Sequence, residues 1–123
     1  NKAITLFGKG KNIRDFVYIS DVINATMKAI TNNQEGVFNI ATGKKCSTYE
    51  LAKKIIKLTN SKSKIIFKGI SNELDFLSDS EKAKINLKFK SKINLDEGLL
   101  KEIEWHKKKA WVEKCVNKNY LKN

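Results

Sequence analysis

The strongest constraint on this chain is an alternation of short strand-prone runs with helical-period stretches, which commits it to a mixed α/β domain. Ile4-Thr5-Leu6-Phe7 is an extended run stopped by Gly8-Lys9-Gly10. Phe16-Val17-Tyr18-Ile19 reads as a second strand. Ser20 and Asp21 are good N-caps for a helix carrying Val22, Ala25, Ala29 and Ile30 at helical spacing, and residues 32–36 end it. Val37 to Ala41 reads as a strand closed by Thr42-Gly43. Ser47-Thr48-Tyr49-Glu50 is a Ser-x-x-Glu capping box, opening a helix whose apolar face is Leu51, Ala52, Ile55, Ile56 and Thr59. Ile65-Ile66-Phe67 is a short strand, and Gly69 to Leu77 a loop by composition. Ser78-Asp79 is expected to cap a short helix through Ala83, with Leu87 and Phe89 as apolar anchors. A last helix starts at Asn94 to Glu97 and buries Leu95, Leu99, Leu100, Ile103 and Trp105. Trp111, Val112, Cys115 and Val116 extend that pattern into a Lys-rich tail.

A length of 123 residues is enough for one compact core. The chain is 41% hydrophobic and 31% charged, as a globular protein is. No apolar run nears the roughly 20 residues of a membrane-spanning helix. No basic-then-apolar leader follows Asn1, and because position 1 is not Met the chain is expected to be part of a longer product. Cys46 and Cys115 form no CxxC pair, so free thiols and a cytoplasmic location are expected. With one His, no metal-ligand spacing exists and no metal is expected.

The formal charge of +12 raises a nucleic-acid hypothesis. It is weakened by the kind of cation: of 25 basic residues only Arg14 is an arginine. Specific phosphate and base recognition favours the planar, bidentate guanidinium. The lysines are spread along the chain, as a solvated surface would have them. A single arginine among lysines suggests a position where Lys would not do.

Other candidates have plainer readings. Gly8-Lys9-Gly10 lacks the further glycine of GxGxxG and the frame of GxxxxGK[ST], and reads as a turn. Tyr49 and Lys53 spell Tyr-x-x-x-Lys on one helix face, a spacing a proton-transfer pair would need, but chance supplies it readily in a Lys-rich chain. His106 reads as a surface residue, Trp105 and Trp111 as packing anchors. Arg14 admits two readings, a guanidinium presented in a cleft or a surface ion pair.

Several motifs taken in order resemble a known family. Leu6-Phe7-Gly8-Lys9-Gly10 followed by Arg14-Asp15-Phe16-Val17-Tyr18-Ile19-Ser20-Asp21-Val22 is similar to a long motif of extended short-chain dehydrogenases that act on sugar nucleotides. Val37 to Gly43 resembles that family's strand and glycine turn, and Ser47 to Leu51 the helix start after it. Ser78 to Ala83, Leu87-Lys88-Phe89 and Leu95 to Trp105 follow in the family's order. The resemblance spans about residues 4–106, and implies a small α/β substrate-binding domain at 1–106, without its Rossmann domain, and a Lys-rich helical tail at 107–123.

The resemblance implies roles. Arg14 maps to the arginine that contacts the diphosphate of the nucleotide sugar, and Thr5 and Phe7 to a strand whose backbone meets the base. Asp15 and Tyr18 look structural, Asp21 a helix cap, and Asn39 and Gly43 keepers of strand and turn. The family's second diphosphate arginine has no counterpart between Lys68 and Asp75. Lys68 could stand in as a point charge, and Glu73 or Asp75 could take the ribose. The glycine-rich NAD loop and catalytic Tyr-x-x-x-Lys belong to an N-terminal domain upstream of the match. This chain is therefore expected to hold no catalytic residue, to bind a nucleoside-diphosphate sugar, and to partner an N-terminal Rossmann domain that binds NAD in a parent whose dimer helices lie in that half, making a homodimer. The alternatives are a stand-alone nucleotide-sugar-binding module and a basic nucleic-acid-binding domain. Epimerase, dehydratase, decarboxylase and reductase members share these motifs.

Overall fold

In the computed structural model, residues 2–69 and 74–108 are described. Their elements run β1 (Ile4–Phe7), β2 (Ile13–Arg14), α1 (Ile19–Thr31), β3 (Cys46–Ser47), α2 (Thr48–Leu58), β4 (Ile65–Lys68), α3 (Glu81–Leu87) and α4 (Leu95–Lys108). The chain is mixed α/β, as the alternation predicts. Glu73, Trp111, Val112, Cys115, Val116 and the tail beyond Lys108 lie outside the described residues.

The strands make two small sheets. β1 and β4 pair in parallel, Ile4 opposite Ile65 and Phe7 opposite Lys68. β2 and β3 pair antiparallel, Ile13 opposite Ser47 and Arg14 opposite Cys46. A parallel pair needs a crossover, and here α1 and α2 both lie within it, α2 packing on β1.

Two predicted strands are not formed. Phe16 to Tyr18 pairs with nothing, and Ile19 already belongs to α1. Val37 to Ala41 has strand-forming residues but makes no ladder among the described residues. Strand propensity reports a fit to neighbouring strands, and neither segment has one.

Helix starts show a similar division between local and distant causes. The Ser47–Glu50 box forms as read: the Glu50 N–H donates to Ser47 Oγ at 3.1 Å and the Ser47 N–H to Glu50 Oε2 at 2.8 Å. Asn94 Oδ1 accepts from the Glu97 N–H at 3.0 Å at the start of α4. Asp79 Oδ1 accepts from the Glu81 N–H at 2.8 Å, but α3 begins at Glu81 and runs to Leu87, later than the predicted span. At α1 the expectation fails. Tyr18 is the N-cap, without a side-chain cap bond. Asp21 instead is buried, and its Oδ2 accepts from the Ser91 hydroxyl at 3.0 Å and from the Lys92 and Ile93 N–H groups at 3.0 and 3.1 Å. Those distant donors claim the carboxylate that the cap would have used.

Ala25 of α1 packs with Ala83, Leu87 and Phe89, and Ala29, Phe38 and Ile40 close around them. Leu87 and Phe89 are thus the anchors predicted. Trp105 is 42% exposed rather than buried, its ring edge-on to His106 at 5.0 Å. The core is built largely of alanines, while several large apolar side chains stand outside it, Val37 most of all at 82% exposure.

Candidate functional site

Three of the proposed ligand residues share one face of one sheet. Side chains alternate along a strand, and the register sets Thr5 opposite Ile66 and Phe7 opposite Lys68. All four are exposed. Leu6 and Phe67, also opposite each other, take the other face, where Phe67 lies 5.9 Å from the Tyr49 ring of α2. Thr5, Phe7, Ile66 and Lys68 therefore form an open patch with apolar bodies and one cation. Ile66 was not among the residues singled out in the sequence; its place follows from the alternation once the partner strand is known. β1 pairs only with β4 among the described residues, so its second edge has no strand beside it.

Arg14 and Asp75 meet around Ile13. Arg14 Nη1 donates to the Ile13 carbonyl at 2.9 Å and to the Leu74 carbonyl at 2.8 Å. Asp75 Oδ1 accepts from the Ile13 N–H at 2.8 Å, and the Phe76 N–H donates to the Ile13 carbonyl at 3.0 Å. The segment that leaves β4 is thereby latched onto β2. A guanidinium has five N–H donors in a fixed fork, so the latch employs only part of its capacity. The partner of Arg14 is a carbonyl pair rather than the neighbouring Asp15.

Asp15 has its own work. Its Oδ1 accepts from the Thr42 N–H at 3.0 Å and the Thr42 hydroxyl at 2.5 Å, and its Oδ2 from the Gly43 N–H at 2.7 Å. Gly43 has φ +76°, a conformation that favours glycine. This fixes the 42–43 turn against β2. Tyr18 lies under α4, where a Cβ added to Gly98 would stand 3.2 Å from its ring. The structural duties expected of both residues are visible in these contacts.

Tyr49 and Lys53 do not form a proton-transfer pair. The Lys53 ammonium lies 5.4 Å from the centre of the Tyr49 ring, a cation over a π face. His106 sits on the surface of α4, Nε2 3.4 Å from Glu102. Cys46 is a buried free thiol whose pKa is raised, first by burial and then by the Glu50 charge. Such a thiol is poorly nucleophilic.

A half-open cavity of about 1290 Å³ lies between α2 and residues 89–96. Phe16, Ile56, Phe89 and Leu95 line it together with eight lysines, and none of Thr5, Phe7, Arg14, Lys68 or Asp75 does. Lys54, on its wall, is paired with Asp96 at 2.6 Å, which raises the Lys54 pKa. The cavity and the β1–β4 face are thus separate features. The polar groups that converge, and the backbone edge beside them, belong to the β1–β4 face and the Arg14 latch.

Comparison with known proteins decides what this architecture is. The sequence model described as the NAD dependent epimerase/dehydratase family matches residues 1–41. Mouse dTDP-D-glucose 4,6-dehydratase is 31% identical over 88% of this chain and 33% of its own length. The UDP-N-acetyl-alpha-D-glucosaminuronate decarboxylase of Bacillus cytotoxicus is 31% identical over 83% of this chain and 35% of its own. A UDP-glucose 4-epimerase of Thermotoga maritima, solved with UDP-glucose, superposes with a TM-score of 0.78 at 31% identity, over 86% of this chain and 35% of that one. The chain belongs to the NAD-dependent epimerase/dehydratase family.

Within this family the chain spans about a third of the length of the relatives it matches. Its own residues do not fit an NAD cradle. The Gly8–Gly10 turn leads into β2 rather than a helix N-terminus. At Gly10, the space of a Cβ is already taken by Leu6 and Tyr49, at 2.9 and 3.1 Å. No backbone there is left open to a pyrophosphate.

Proposed function

We propose that this chain is the substrate-binding part of an NAD-dependent nucleotide-sugar epimerase or dehydratase. The observation that carries the proposal is the β1–β4 face with Thr5, Phe7 and Lys68, joined by backbone bonds to the Arg14 latch. Gly8 continues the join, its N–H donating to the Lys68 carbonyl at 3.0 Å. A nucleoside-diphosphate sugar needs a flat apolar contact with hydrogen-bonding backbone for its base, and cations for its diphosphate. The face supplies the first in Phe7, Ile66 and the open edge of β1. Lys68 and the remaining N–H groups of Arg14 supply the second. Asp75, already oriented by the Ile13 N–H, carries a second carboxylate oxygen for a ribose hydroxyl. The relative solved with UDP-glucose supports this class of ligand.

In this reading the NAD belongs to an N-terminal Rossmann domain of the parent enzyme, where a hydride passes from sugar to cofactor. The present chain orients the sugar nucleotide for that step and contributes no proton-transfer group. Calorimetric titration of the 123-residue chain with UDP-glucose and with dTDP-glucose tests it. Saturable binding of one of them that is weakened by Arg14→Ala is expected, with no turnover when NAD is added. Turnover by the chain alone, or binding indifferent to Arg14, sinks the reading. A stand-alone binding module would behave alike in that titration, but its reading frame would hold no NAD-binding portion.

A further inference from the structure

α1 has two unlike faces. Asp21, Ala25 and Ala29 turn towards α3 and the 91–93 segment. At about 100° per residue, Ile19, Ile23, Met27 and Ile30 fall together on the opposite side. They are 60, 56, 53 and 63% exposed. Val37 stands exposed shortly after the helix, in the strand-forming segment that has no strand beside it. A helix face meant for solvent carries charge. This one has none: the only charged residues of α1 are Asp21, which is buried, and Lys28, whose ammonium donates to the Lys88 carbonyl at 2.7 Å. In a chain with 24 lysines, an uncharged stripe of four large apolar side chains has the composition of an interface centre.

We infer that this stripe, with Val37, is the seat of the cofactor-binding portion of the enzyme, which lays an apolar α/β surface on α1 and a strand edge beside Val37–Ile40. The inference rests on the function proposed above. Two observations select this occupant. The chain spans about a third of its relatives, so the remainder of such an enzyme must meet it somewhere. The family match ends at Ala41; it contains the whole stripe and the unpaired segment, and stops before α2.

Met27 is the only methionine of this chain, and thioether oxidation follows exposure. The test compares peroxide oxidation of Met27, read by peptide mass spectrometry, in the 123-residue chain and in the full-length parent enzyme with NAD. At least about tenfold slower oxidation in the parent is expected. Ile23→Lys in the parent should restore part of the fast rate, and Asn24→Lys, off the stripe, should not. Should Ile23→Lys fail to fold, Ile30→Ser serves the same purpose. Equal rates in a parent that turns over nucleotide sugar overturn the inference and leave the proposed function standing. Protection of Met27 in the isolated chain that grows with protein concentration gives the face to a second copy, and also overturns it. A reading frame with no NAD-binding portion removes the two-part enzyme itself.

Discussion

Arg14 reaches Leu74 across 60 positions of sequence, Nη1 to carbonyl oxygen at 2.8 Å. The only arginine of the chain thereby ties the segment carrying Asp75 to the strand beside the open sheet face. Replacing it tests both duties. Lys can meet one carbonyl but cannot fork between protein and diphosphate. Arg14→Lys should weaken UDP-glucose binding about tenfold or more, on the scale of a lost charge-assisted hydrogen bond of about 1.5–3 kcal/mol. Its thermal stability should change little. Titration calorimetry beside a melting curve separates the two, and wild-type affinity in Arg14→Lys would remove the diphosphate role.

Asp21 is the second long-range tie. It gathers three donors from residues 91–93 onto one oxygen while 2% exposed. Asp21→Ala strands two N–H groups and a hydroxyl in a part-buried site. A loss of about 2–4 kcal/mol is expected, seen as a lower urea midpoint at unchanged slope. Asp21→Asn keeps an acceptor and should lose less. A helix cap would lose only about 1 kcal/mol on the same change, so the size of the effect distinguishes the two roles.

The contrast between Asp21 and Ser47 shows how much of the fold was legible. Ser47 and Glu50 act on each other within one turn, so four letters sufficed to place the start of α2. The role of Asp21 depends on residues 91–93, which nothing near it in sequence announces. The strands divide likewise. Ile4–Phe7 and Ile65–Lys68 each find a partner and form, whereas Phe16–Ile19 and Val37–Ala41 have the same propensity and no neighbour. For the site, Arg14 stood out by composition and Thr5, Phe7, Lys68 and Asp75 by resemblance. That Thr5, Phe7 and Lys68 share a face, with Ile66 among them, depends on a register that only pairing fixes.

Gly10 is the turn position least able to accept a side chain. Its φ is +62°, and a Cβ would stand 2.9 Å from Leu6 Cδ1 and 3.1 Å from Tyr49 Cβ. Its carbonyl also accepts from the Tyr49 N–H at 2.9 Å. The leucine tip can yield, but the Tyr49 Cβ is fixed by α2. Gly10→Ala should therefore cost about 2–3 kcal/mol, left-handed strain and crowding together. Melting curves check this, and a cost under about 0.5 kcal/mol would show that β1 and α2 are packed more loosely than their contact here requires.

The capping box predicts an acid-side loss of stability. The Ser47 N–H, then the Ser47 hydroxyl, hold the Glu50 carboxylate below the usual glutamate range. These bonds exist only in the folded chain, so the folded state binds the Glu50 proton less tightly than the unfolded state does. The stabilisation is complete above the unfolded glutamate pKa and disappears as pH falls through the lower folded value. Glu50→Gln can keep the box geometry but has no proton to take up. The urea midpoint of the wild type should exceed that of Glu50→Gln at about pH 7, and the gap should close towards about pH 3. A gap that stays constant with pH would show that the charge of Glu50 contributes nothing, leaving the neutral Ser47 Oγ contact to the Glu50 N–H as the whole of the cap.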